Sequence, residues 1–182
     1  MQKYDFVCSL LRIIFAAVSK LIHKVYLSTG SNQGNSIEIL HAANQMIHLQ
    51  VGRIQKVSSF YRTAAWGLTD QPDFYNQCLF IHTPFPPKLL LQKLLSIEKQ
   101  MGRVRIQKWG PRTIDIDILL FDDLILRDND LEIPHPHIQD RSFVLAPLAE
   151  IAPQLQHPSL KKSILHLLQN TPDSLSFKKI KP

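Results

Sequence analysis

The sequence predicts an α+β protein with a ferredoxin-like βαββαβ core, extra short strands and C-terminal helices. Three observations carry this expectation. Segments of strand length and of helical period follow one another as strand, helix, strand, strand, helix, strand. The run from Thr113 opens with strict alternation, Ile114, Ile116 and Ile118 against Thr113, Asp115 and Asp117, and period two is the strand period. Two stretches, 36–50 and 87–101, repeat apolar residues at helical spacing.

Lys24 to Thr29 reads as a buried strand ending at Gly30. Ser36 fits an N-cap for a helix to Gln50, with Ile37, Leu40, Ala43 and Ile47 as its apolar side. Arg53 to Tyr61 reads as one strand. Arg62 to Phe74, with Gly67 and Pro72, reads as a long irregular link, a length that is usually functional or mobile. Tyr75 to His82 is a third strand, closed by Pro84, Pro86 and Pro87. Pro87 to Met101 is a second helix, stopped by Gly102. Thr113 to Phe121 is the fourth strand, with a turn at Asp122 and Asp123. Short strands follow at Leu124 to Leu126 and Leu131 to Ile133, then a stiff loop from Pro134 to His137. Helices from Arg141 to Glu150 and from Ser163 to Gln169 precede a basic end.

The length of 182 residues, with 45% hydrophobic and 20% charged, supports one domain with its own core. A net charge of +6 favours anionic partners, among them phosphorylated small molecules. Cys8 and Cys78 form no C-x-x-C pair and no zinc spacing, so a reducing cytoplasm is the expected location. Cys78 lies in an apolar run, as core packing would. No segment reaches the roughly 18 unbroken apolar residues of a membrane span. Residues 1–23, apolar but interrupted by Arg12 and Lys20, are expected to be a non-catalytic extension, and 24–182 the domain.

Chemistry concentrates between Gly102 and Phe121. On one strand face the α-carbons of Asp115 and Asp117 would lie about 6–7 Å apart, from a rise of about 3.3 Å per residue. Carboxylates held so repel unless a cation joins them. Mg²⁺ suits, because one or two carboxylates hold it while water and substrate phosphates complete its shell. The neighbouring Arg103, Arg105, Lys108 and Arg112 suit a polyphosphate. A bare D-x-D is common, and an edge strand with a polar outer face is its structural alternative.

The surrounding residues narrow this choice. Trp109 to Phe121, WGPRTIDIDILLF, closely resembles the signature of the 6-hydroxymethyl-7,8-dihydropterin pyrophosphokinase family of folate synthesis. Leu27 to Asn35, Ser58 to Thr63, Asp70 to Asn76, Ile133 to His135 and Arg141 to Val144 follow in that family's order, so the similarity spans about Lys24 to Ala152. The resemblance implies a three-layer α+β fold. It implies transfer of a pyrophosphoryl group from ATP to the hydroxymethyl group of 6-hydroxymethyl-7,8-dihydropterin, with release of AMP. It assigns two Mg²⁺ ions to Asp115 and Asp117, and a catalytic set of these two with Arg103 and Arg112. It places Glu98, Arg103, Arg105, Lys108, Arg112, His135 and Arg141 at the ATP. It places Thr63, Ala64, Phe74, Asn76 and Phe143 at the pterin, a flat ring suited to aromatic faces and an amide. The chain departs from the pattern in a shorter basic loop before Trp109, in the run Thr63 to Trp66, which lacks the proline common there, and in the apolar Leu95.

The protein is expected to act as a monomer without a nucleic-acid partner. A basic ferredoxin-like module can bind RNA on its sheet, but no aromatic-rich signature of such binders is present, and Asp115 and Asp117 would repel phosphates there.

Overall fold

The structure is a computed structural model. It describes residues 22–64, 71–103 and 110–180. The expected extension, 1–23, therefore lies almost wholly outside the described residues. Among these the elements are β1 (His23–Ser31), α1 (Ser36–Gln50), β2 (Arg53–Val57), β3 (Phe60–Thr63), β4 (Phe74–Thr83), α2 (Pro87–Gln100) and β5 (Asp115–Phe121). They continue with β6 (Leu126–Arg127), β7 (Glu132–Ile133), α3 (Ser142–Ile151), α4 (Ile164–Gln169) and β8 (Phe177–Ile180).

The protein is a mixed α/β structure around an antiparallel sheet. The strand order is β5-β1-β4-β3-β8, with β2 also paired to β4. Strands β2 and β3 lie end to end along β4, β2 against Leu79 to His82 and β3 against Phe74 to Asn76. A separate two-stranded sheet joins β6 to β7.

Strand alternation sends alternate side chains into two cores. Val25, Leu27, Leu79 and Ile81 pack with Leu40, Ala43 and Ile47 of α1 and with Leu90, Leu94 and Ile97 of α2. Cys78 packs instead with Val144, Leu145 and Leu148 of α3 and Ile164 and Leu167 of α4. Strand β5 divides the same way, Ile116 and Ile118 joining the first core with Ile114 just before the strand. A register shift in its pairing with β1 lets the consecutive Leu119 and Leu120 both enter the second core. Each fully buried leucine or isoleucine contributes about 1.5–3 kcal/mol, so these two cores dominate the stability.

Three expectations need correction. The strand expected from Arg53 to Tyr61 is two strands, broken at Ser58 and Ser59. The Ser58 amide donates to the Cys78 carbonyl at 2.9 Å, but the Cys78 amide donates to the Ser58 hydroxyl at 3.0 Å, so a side chain replaces the strand carbonyl. The displaced Ser58 carbonyl accepts from Gln77 Nε2 at 2.9 Å. The cap of α1 is Asn35, whose side chain accepts from the Glu38 amide, while the Ser36 hydroxyl takes a bond from Ser31. Finally, the basic end holds β8, which extends the sheet beyond β3.

Candidate active site

Strand register builds the site. Across the sheet Asp115 stands beside Gly30, and Gly30 beside Asn76. One row further, Asp117 stands beside Ser28. Gly30 leaves the space between carboxylate and amide open. A Cβ there would stand 3.0 Å from Asn76 Oδ1. The result is an open cleft. Asp115, Asp117 and Arg112 line it, with Arg141 and Phe143 from the start of α3. Thr63, Ala64, Phe74 and Asn76 line it as well, with Ser28 and Gly30.

The residues assigned to the pterin thus meet both aspartates and part of the phosphate set in one cavity. All five residues assigned to the pterin line it, as do both aspartates, Arg112 and Arg141. Asn76 is buried and donates to Thr63 Oγ1 at 3.0 Å, which fixes the amide's orientation. Glu98, Arg103 and His135 are not part of the lining. Arg105 and Lys108 lie outside the described residues.

Glu98 and Arg103 reach the cleft through Asp115. Arg103 Nη1 is 2.6 Å from Asp115 Oδ1, and the same nitrogen bonds Glu98 Oε1. Arg112 Nη1 bonds the second oxygen of Asp115. Glu98 is 3% exposed and also accepts from the Ile116 amide, at 2.7 Å, between the two aspartates. Burial pushes its carboxyl up, against the pull of Arg103 and that amide.

Asp117 stands in a different environment. Burial, then the charge of Asp115, pushes its carboxyl up to about 7, with Arg141 opposing. Burial lowers the Arg141 guanidinium, which the two aspartates raise in turn. Burial and the charge of Arg141 bring the His135 imidazole down to about 4. The His135 amide donates to the Leu119 carbonyl at 2.9 Å, which ties this loop to β5.

Sequence reasoning missed three contributors. Ser28 and Gly30 line the cleft, and a glycine at the end of a strand signals close backbone approach. Asn32 links two loops: its Oδ1 accepts from the Arg112 amide at 2.8 Å, and its Nδ2 donates to Gln71 Oε1 and the Pro72 carbonyl, each at 3.1 Å.

Among the described residues no group of three or more His, Cys, Asp or Glu side chains is placed to hold a metal. The pair Asp115 and Asp117 still fits Mg²⁺, because that ion takes few protein ligands and draws the rest from water and phosphate. An Asp117 whose ionised form is disfavoured is a site that a cation would relieve.

A family model for 7,8-dihydro-6-hydroxymethylpterin-pyrophosphokinase matches residues 26–153. A Synechocystis 2-amino-4-hydroxy-6-hydroxymethyldihydropteridine pyrophosphokinase is 41% identical over 148 residues, 81% of this chain and 75% of that protein. The Aquifex aeolicus protein of the same name is 41% identical over 140 residues, 77% of this chain and 87% of its own. A Plasmodium falciparum HPPK-DHPS structure superposes with a TM-score of 0.68 at 17% identity, over 81% of this chain and 44% of that one, a likeness of fold. With the matched residues enclosing both aspartates and both cleft aromatics, the chain belongs to the 7,8-dihydro-6-hydroxymethylpterin-pyrophosphokinase family.

Proposed function

We propose that this protein transfers the β,γ-pyrophosphoryl group of ATP to the hydroxymethyl oxygen of 6-hydroxymethyl-7,8-dihydropterin and releases AMP, in folate synthesis. One observation carries the reading: a single cleft joins paired aspartates and arginines to a buried amide and two phenylalanines. Phosphate chemistry needs the first group, and recognition of a flat, polar ring needs the second.

In the reaction the substrate oxygen bonds the β-phosphorus, the bond from that phosphorus to the bridging α-oxygen breaks, and AMP leaves. The hydroxyl proton passes to solvent. The protein's task is mainly to align these atoms and neutralise charge. Phe74 and Phe143 stack the ring, and Asn76, oriented by Thr63, pairs with its polar edge. Thr63 and Ala64 bound that edge. Arg103, Arg112, Arg141 and His135 serve the triphosphate, joined by Arg105 and Lys108. Glu98 serves it through Arg103. Asp115 and Asp117 would hold Mg²⁺, two ions with ATP, which supplies charge neutralisation at the phosphate oxygens when bound.

The layout is read as ferredoxin-like, with three layers. The strand order β5-β1-β4-β3 and helices packed into two separate cores support this. The protein is read as a cytoplasmic monomer without a nucleic-acid partner. No described helix is long and apolar enough to cross a membrane. The competing RNA-binding reading is disfavoured by the two aspartates in the cleft. Thermal denaturation separates the two. The pterin, and a non-hydrolysable ATP analogue with Mg²⁺, should each raise the Tm, and single-stranded RNA should not. Stabilisation by RNA alone would overturn the enzyme reading.

A further inference from the structure

Residues beyond 153 lie outside the family match, yet their contacts reach the cleft. Helix α3 begins at Ser142, and Arg141, at its N-cap, makes no side-chain capping bond. The cap comes from Asp173. Its Oδ2 accepts from the Ser142 amide at 2.8 Å and from the Ser142 hydroxyl at 2.7 Å. Asp173 is itself fixed: Oδ1 accepts from the Leu175 amide at 3.0 Å, and its amide donates to Thr171 Oγ1 at 3.3 Å. The Thr171 hydroxyl in turn donates to the Gln139 carbonyl at 3.0 Å.

Ser142 is 2% exposed, and its two neighbours are the cleft residues Arg141 and Phe143. The Arg141 guanidinium carbon lies 5.7 Å from the Phe143 ring centre. A carboxylate at a helix N-terminus fixes the direction of the first turn and suits the helix dipole. Here that turn carries one side chain assigned to the triphosphate and one assigned to the pterin. The same tail continues into β8, which sets Phe177 opposite Thr63, another cleft residue.

We propose that Asp173 is a positioning residue for the transfer: by capping α3 at Ser142 it fixes Arg141 and Phe143 as one wall of the cleft. This rests on the pyrophosphokinase reading above. A brace for the fold alone would lower stability and leave ligand affinities unchanged. A positioning residue changes pterin affinity and the pterin KM more than general stability requires.

The test compares Asp173→Ala, Asp173→Asn and Ser142→Ala with a matched control, Ser163→Ala. Ser163 caps α4, accepting from the His166 amide at 3.2 Å, and does not line the cleft. Pterin affinity by calorimetry, pterin KM and Tm are measured for each. Asp173→Ala should weaken pterin binding about five- to tenfold. Asp173→Asn, which keeps an accepting oxygen, should stay within about twofold of wild type. Ser142→Ala should fall between them. Ser163→Ala should lower the Tm and leave pterin affinity unchanged. Wild-type affinity in Asp173→Ala, or the same loss in Ser163→Ala, would overturn the proposal. Should Asp173→Ala not fold, unchanged pterin affinity in a folded Ser142→Ala would overturn it equally. Wild-type protein that fails to bind pterin defeats the pyrophosphokinase reading instead. Active wild type with an indifferent Asp173 defeats only this inference.

Discussion

Arg103 holds Asp115 in a 2.6 Å ion pair. Arg112 takes the second oxygen of the same carboxylate, while Asp117, two residues on, is pushed up by burial and by Asp115 against the charge of Arg141. Two aspartates that are equivalent in the strand pattern therefore stand in unlike environments. The arginines on Asp115 are also those proposed to serve the triphosphate, so on that reading ATP would draw on charge that the free protein has already paired.

The two aspartates should respond oppositely to neutralisation. Asp117→Asn should stabilise the ligand-free protein at pH 8 by about 1–2 kcal/mol, because its folded-state pKa is raised and its ionised form is the disfavoured one. Asp115→Asn should destabilise it by roughly 1–3 kcal/mol, because Arg112 loses its carboxylate and Arg103 keeps only Glu98. Both should lose turnover by about 100-fold or more. Urea denaturation beside a turnover assay checks this, and a stability change of the same sign for both would contradict it.

Glu98→Ala should be among the most damaging single changes at the site. It removes a buried acceptor of the Ile116 amide and the inner partner of Arg103. Breaking a buried pair costs about 3–5 kcal/mol. Loss of activity with unchanged stability would mean that Glu98 acts only on the nucleotide.

Phe74→Ala and Asn76→Ala should weaken pterin binding more than binding of an ATP analogue. A lost stack costs about 0.5–1.5 kcal/mol beyond its area, and an unpaired pterin edge about 1–3 kcal/mol. Equal losses for the two ligands in calorimetry would assign these residues to the fold instead.

Much of this was legible in the sequence, because periodicity is a local signal. The alternation around Asp115 and Asp117 gave β5 and the division of its faces, and Gly102, at φ +82°, ends α2 as its position implies. The break at Ser58 was not legible, since it depends on Cys78 across the sheet. Strand β8 was hidden in a polar, basic run, FKKI, that carries almost no alternation of its own and owes its pairing to β3. The five residues that the ordered blocks single out for the pterin line one cleft with both aspartates. Which aspartate holds the arginines, and that Glu98 is buried beneath them, depend on distances between elements that no spacing along the chain encodes.

His135 should make stability pH-dependent. Its folded-state pKa is held down to about 4, against an ordinary value of 6.5, so the unfolded chain binds its proton first as pH falls. The contribution is complete above about pH 6.5 and is lost progressively towards pH 4, about 1–3 kcal/mol in all. Denaturation of wild type and His135→Gln between pH 8 and 4.5 should give a difference that is flat above 6.5 and shifts against wild type below it. A difference independent of pH would contradict the lowered imidazole pKa.

Pyrophosphoryl transfer requires attack at the β-phosphorus of ATP. Purified protein incubated with ATP, Mg²⁺ and 6-hydroxymethyl-7,8-dihydropterin should yield AMP and a pterin diphosphate in equal amounts, and neither product without the pterin or in excess EDTA. ADP as the main nucleotide product, or steady hydrolysis of ATP without the pterin, would contradict it.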